Sequence, residues 1–384
     1  MRFEFATAGR IIFGEGAAAD AARAAAAMGR RALLVTGETA DRAAPLRHAL
    51  EAAGLTLAPF RVSGEPAIDT IAAGTVYARG ESCDMVVAIG GGSAIDAGKA
   101  LAAMLANPGE PLDYLEVVGR GQPLRQPSAP FIAVPTTAGT GSEVTRNAVL
   151  AARERRVKAS LRSPHLLPRL AVIDPELTLE LPRALTASTG LDALTQLIEP
   201  YVSVRANPMT DVHAVEGLRS AANALPRAWG NGSDRDARRG MCWASLLGGL
   251  SLANAGLGAV HGFAAPVGGM FPAPHGAVCA ALLAGAMEIN VEALRRRAPD
   301  SRALERYEEV ARLLTGKPQA TAADGIAWVS ALCRRFEIPP LGVYGVKSDD
   351  IPVLVSRAGE ASSMKGNPIA LARDELEEII RRAI

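Results

Sequence analysis

The chain has 384 residues, of which 49% are hydrophobic, 21% charged and 4% aromatic. These proportions exclude disorder as the main state, and the length predicts two or three domains with sizeable cores. Lys and Arg together number 41 against 40 for Asp and Glu, a balance that argues against a nucleic-acid or anionic-membrane partner, while so few aromatics argue against a stacking platform for single strands.

The opening MRFEF has no apolar core of the kind a signal peptide needs. The FEF and RIIF segments near the start are β-prone and are candidates for pairing across a homodimer. Short apolar runs at 31–36 (RALLVT), 85–89 (MVVAI), 131–134 (FIAV) and 170–173 (LAVI) read as buried strands. Ala-rich helical patterns at 17–28, 43–53, 70–79 and 94–106 alternate with them. That alternation predicts an α/β, Rossmann-like parallel sheet with helices on both faces. After Pro182 the β signal fades, and helices such as 211–224, 241–254 and 301–314 follow one another between Gly and Pro. The expected boundary separates an α/β domain, 1–181, from an all-helical domain, 182–384.

Residues 240–287 contain no Asp, Glu, Lys or Arg. Their glycines, three prolines, Asn254, His261 and His275 suit a protein core rather than a bilayer. Cys83, Cys242, Cys279 and Cys333 are far apart with no CxxC pair, which predicts reduced thiols in a cytoplasmic protein.

Two loops carry the nucleotide signal. Gly90, Gly91, Gly92 and Ser93 follow the strand MVVAI and open a helix that carries Asp96. Three glycines permit a tight turn and close approach of a ligand, and a helix N-terminus offers free N–H groups to a pyrophosphate. This is not a GxGxxG fingerprint. The second loop, PTTAGTGSEVT, follows FIAV and presents the hydroxyls of Thr136, Thr137, Thr140 and Ser142 around two glycines, at the carboxyl end of a strand where nucleotides bind.

Asp192 and Gln196 stand four apart in STGLDALTQLIEP, and Glu199 extends their stripe. Spacing alone describes a solvated polar face. Two histidines in one uncharged segment change that reading: Asp192, Gln196, His261 and His275 together would form a mixed N/O site for iron(II) or zinc. His213 reads as structural, and His48 and His165 as surface residues.

GGGSAIDAGK, PTTAGTGSEVT, GLDALTQLIE, ANAGLGAVHG and the later PHG make nearly the whole chain resemble the iron-containing, or group III, alcohol dehydrogenases. The resemblance implies the dehydroquinate synthase-like architecture of an N-terminal nucleotide-binding domain and a helical metal domain. It implies NAD or NADP along the two glycine-rich loops, and metal ligands at Asp192, Gln196, His261 and His275, with Asp192, His261 and His275 catalytic. The family's lysine near the nicotinamide ribose falls on Lys158. Two positions depart from the family pattern: Gln196 stands where His is usual, and Ala265 where many members carry a second His four residues after the first. The implied activity is metal-assisted hydride transfer between a nicotinamide and a small alcohol or aldehyde. A metal-independent maleylacetate reductase-like enzyme, a dehydroquinate synthase-like lyase and a nucleotide-binding protein without turnover are the alternatives. After RALLVT comes Gly37, where NAD-specific relatives often place Asp; with Glu38 beside it, the balance leans slightly to NADP.

Overall fold

The computed structural model describes residues 2–38 and 40–384. They form two compact units. One comprises Ala6–Thr137 and Gly141–Glu180; the other comprises residues 2–5, Ala138–Thr140 and Leu181–Ile384.

The first unit holds strands β1 (Ile11–Phe13), β2 (Arg31–Thr36), β3 (Thr56–Arg61), β4 (Met85–Gly90), β5 (Phe131–Pro135), β6 (Asn147–Ala152), β7 (Val157–Arg162) and β8 (Leu170–Ile173). Its helices are α1 (Ala18–Ala26), α2 (Ala44–Ala52), α3 (Ile68–Gly80), α4 (Gly92–Ala106) and the short α5 (Pro111–Tyr114). Six strands make one parallel sheet in the order β1-β8-β5-β4-β2-β3, and β6 and β7 form an antiparallel hairpin. The strands at the centre are apolar at every position because both faces are covered. Ala32, Leu34, Val87, Ile132 and Val172 pack against α1 and α2 through Ala21, Ala25, Leu46 and Leu50. Leu33, Val35, Val86, Ala88 and Phe131 pack against α3 and α4 through Ile71, Ala78, Ile95 and Leu101.

The four runs expected as strands are strands β2, β4, β5 and β8. The RIIF segment contributes β1, which pairs in parallel with β8 inside this sheet. FEF lies outside every strand. Neighbouring strands β2 and β4 lead to helices on opposite faces, α2 and α4, so their carboxyl ends flank a topological switch point. Gly37 and Gly90 sit there: a Cβ added to Gly90 would lie 3.4 Å from the Gly37 nitrogen.

The second unit is helical: α6 (Arg183–Val202), α7 (Pro208–Gly230), α8 (Arg235–Ala255), α9 (Ala259–Met270), α10 (His275–Arg297), α11 (Arg302–Thr315), α12 (Ala322–Arg335), α13 (Ile351–Glu360) and α14 (Arg373–Ala383). Helix α6 packs against α7, α8, α10 and α11. Every residue from Gly190 to Val202 is buried. The polar stripe Asp192, Gln196, Glu199 is therefore internal, not the solvated face that spacing alone describes. Helix α10 is long and apolar enough to cross a bilayer by length and composition, but 72% of its most apolar window is buried within the protein. The uncharged run at 240–287 is core.

Helix α4 approaches the sheet at Gly98, where an added Cβ would lie 2.7 Å from Ala88 Cβ and 2.7 Å from the Phe131 ring. Gly98→Ala gains about 1 kcal/mol of helix propensity but forces this contact apart, at about 1–3 kcal/mol. A lower urea midpoint is expected for Gly98→Ala and none for Gly80→Ala, whose added methyl meets open space. A Gly98→Ala protein as stable as wild type would contradict this packing.

Candidate active site and nucleotide loops

Three helices bring one cluster together. Asp192 lies in mid-α6, His261 in the first turn of α9, and His275 is the first residue of α10. Asp192 Oδ1 is 3.3 Å from His261 Nε2 and 3.7 Å from His275 Nε2. The imidazole rings are tilted by 52° with centroids 5.4 Å apart. Cys279, one turn after His275, joins them: its Sγ is 3.8 Å from His261 Nε2 and 3.7 Å from His275 Nε2. One donor atom from each of these four residues lies within 4.8 Å of all the others.

Gln196 follows Asp192 by one turn on α6 and is 2% exposed. Its Oε1 and Asp192 Oδ1 are buried oxygens with no hydrogen-bond donor. Such atoms are costly unless a cation or water satisfies them.

Glu199 sets the geometry from behind. Its Oε1 accepts the Val260 N–H at 2.7 Å, and its Oε2 lies 2.7 Å from His261 Nδ1. Asn367 Oδ1 accepts the Ala259 N–H at 3.0 Å. The carboxylate thus stands at the positive end of α9 and holds a proton of His261 on Nδ1, which turns Nε2 toward Asp192 and Cys279. Gly258 makes the approach possible, since an added Cβ would lie 2.9 Å from Asn367 Oδ1 and 3.0 Å from Glu199 Oε1. Burial works against a charged imidazole at both histidines. Cys279, Glu199 and Asp192 outweigh it at His261, and Cys279 and Asp192 do so at His275, so both titrate above 6.5. Burial alone would raise the Asp192 carboxyl, but His275 and His261 hold it below 3.8.

In the other unit, α4 begins at Gly92 behind Gly91, and no side chain caps it among the described residues. By contrast, Asp174 occupies the start of α1, accepting from Gly16 and Ala18 N–H at 3.2 and 3.0 Å. The α4 N-terminus is open to an anion. Gly90 has φ +158 and an added Cβ would meet Ala94 Cβ at 2.6 Å, whereas a Cβ on Gly91 would only touch Thr137, at 3.4 Å. Gly90 is thus required by the fold, while Gly91 keeps space clear between the loops.

The two loops are joined at their bases. Thr136 N–H donates to Gly90 O at 2.9 Å. Asp96 accepts from the Ser142 hydroxyl and from Val149 N–H at 3.0 Å. Lys99, 1% exposed, donates to Ser142 O at 2.9 Å and Thr145 Oγ1 at 3.0 Å, and pairs with Asp96 at 3.0 Å. Asp96 and Ser142 are therefore engaged in bracing the second loop. Thr140 belongs with the helical unit. Lys158 stands on β7, its ammonium paired with Glu65. His213 stacks on Phe5 and bonds the Met209 carbonyl.

Sequence reasoning missed Cys279 as a member of the cluster and Glu199 as the support of His261. The one available signal for Cys279 was its i, i+4 spacing from His275. The contact between Glu199 and His261 spans 62 residues and leaves no local pattern.

Residues 8–175 match the family model of the iron-containing alcohol dehydrogenases, and residues 186–384 match that family's C-terminal model. Alcohol dehydrogenase 4 of Schizosaccharomyces pombe is 37% identical over 379 residues, covering 97% of this chain and 87% of the relative. The crystal structure of a 1,3-propanediol oxidoreductase superposes with a TM-score of 0.92 at 33% identity, covering 100% of both chains. A sulfoacetaldehyde reductase from Bifidobacterium kashiwanohense, solved in complex with NAD+, gives 0.87 at 29% identity, covering 100% of this chain and 99% of the other.

Beside the braced loop, burial pushes the Glu143 carboxyl from 4.5 up to about 7, with its own backbone N–H and Lys99 opposing only in part. A raised acid favours the fold while neutral, and that advantage is lost as pH climbs through the folded value. Glu143→Gln is expected to gain about 1–3 kcal/mol on wild type between pH 4.5 and about 7, read from urea midpoints. A difference that stays flat across this window would show that Glu143 is not held neutral.

Proposed function

The chain belongs to the iron-containing alcohol dehydrogenase family, and on that premise we propose how its own residues carry the activity. It is an NAD(P)-dependent oxidoreductase acting on CH–OH groups, moving a hydride between the nicotinamide and a small alcohol or aldehyde. Asp192, His261 and His275 would hold a divalent metal, and Gln196, one turn further along α6, would offer an amide oxygen. The observation that carries this assignment is a pair of buried oxygens one turn apart on α6, Asp192 Oδ1 and Gln196 Oε1, without a hydrogen-bond partner among the described residues, with Asp192 Oδ1 3.3 and 3.7 Å from two imidazole nitrogens. That donor set fits a borderline divalent cation such as zinc or iron(II).

When bound, the metal supplies Lewis-acid polarisation of the substrate oxygen and NAD(P) supplies the hydride acceptor. Glu199 holds the His261 ring with its Nε2 facing Asp192, so no reorientation of the ring is needed on binding. The open N-terminus of α4 receives the pyrophosphate, and Gly91 clears the space for it. Thr136, Thr137, Thr140 and Ser142 belong to the second nucleotide loop, and Asp96 and Lys99 keep that loop in place. Lys158 serves the nicotinamide ribose. With Gly37 rather than an acidic residue directly after β2, the reading leans to NADP. Ala265 supplies no proton-carrying group, and His213 is committed to Phe5 and Met209. The cysteines are reduced in the fold, which suits a reducing, cytoplasmic setting.

Two variants separate the halves of this reading. Gly91→Val is expected to weaken NAD(P)H binding by more than about tenfold, in titrations of cofactor fluorescence, and to leave bound metal unchanged. Glu199→Gln is expected to keep cofactor affinity and weaken metal retention by about 10–100-fold, because an amide cannot accept from both Val260 and His261. Equal cofactor binding by Gly91→Val would remove the loop from the site, and equal metal retention by Glu199→Gln would remove Glu199 from its support.

A further inference from the structure

Cys279 is fully buried, on α10 one turn beyond His275. What it does there depends on the metal reading above. Four separations in the cluster are 3.3, 3.7, 3.8 and 3.7 Å, linking Asp192 Oδ1 and Cys279 Sγ to the two Nε2 atoms. A tetrahedral centre with bonds of about 2.0–2.3 Å has ligand-to-ligand edges of about 3.3–3.8 Å. Four of the six edges of the cluster have that length already, and all of its donor atoms lie within 4.8 Å of one another. Among the described residues Asp192 Oδ1 has no hydrogen-bond partner that would account for its place in the cluster.

We propose that Cys279, as a thiolate, is a direct metal ligand, so that the strong donors are Asp192, His261, His275 and Cys279. The amide of Gln196 is a neutral and weaker donor, and its oxygen then lies outside the strong set. A soft thiolate tilts the site toward zinc over iron(II). Two anionic donors also neutralise a divalent cation, whereas Asp192 with neutral donors alone would leave one positive charge. Metal binding releases the thiol proton. Cys83, Cys242 and Cys333 are outside the cluster.

The test uses the full-length protein, stripped with a chelator and reloaded with cobalt(II). Wild type is expected to show a near-ultraviolet thiolate-to-cobalt charge-transfer band. Cys279→Ser and Cys279→Ala should bind cobalt without that band and hold zinc at least about tenfold more weakly. Gln196→Ala and Cys83→Ser should keep it. Wild type that binds cobalt without the band, or a band that persists in Cys279→Ser, overturns the ligand assignment while the metal site stands. Wild type that takes up no cobalt overturns both. The wild-type spectrum decides the matter even if the Cys279 variants fold poorly.

Discussion

One carboxylate, Glu199, ties the start of α9 to the last turn of α6. A buried negative charge is tolerated there because it meets the positive end of a helix, an N–H from Val260 and the Nδ1 proton of His261. Remove any of these and the others lose their reason. The same carboxylate decides which nitrogen of His261 faces Asp192, and so turns an imidazole that burial would otherwise make a packing residue into a donor. The candidate metal site is thus built from outside inward: one acid orders the residues proposed to hold the metal.

The nucleotide unit uses a parallel device with opposite charge. Lys99 is a buried ammonium satisfied by carbonyls, a hydroxyl and Asp96, and it fastens the second glycine-rich loop to the helix that carries the first. Burial lowers its affinity for a proton, yet its partners keep it in place. In both units a charge inside the protein holds a loop or a helix end that would otherwise be free to move, and mobile backbone would weaken any site formed there.

The central strands were legible because a sheet covered on both faces demands unbroken apolar runs, as in RALLVT and MVVAI. The edge and hairpin strands were less so, with only RIIF read as β-prone and its pairing with β8 not foreseen. β3 carries Pro59 and is partly exposed, β1 is three residues long, and the β6–β7 hairpin is Ala-rich on one strand and mixed on the other. Helix α6 misled by its spacing, since a polar stripe looks the same whether it faces water or a bundle interior; only the neighbouring helices distinguish the two. Asp192, His261 and His275 were found because two histidines in a charge-free segment asked for a common partner. Cys279 read as an ordinary buried thiol, because convergence of helices from distant parts of the chain is a tertiary fact.

The central claim is that this dehydrogenase works through a metal at the α6–α9–α10 cluster. Titrating zinc or iron(II) back into chelator-stripped protein, while following NAD(P)+ reduction by a primary alcohol, tests it most directly. Activity should be absent in the stripped protein and rise in proportion to bound metal, saturating at a single metal per chain. Full turnover by stripped protein would contradict the account and favour a metal-independent reductase.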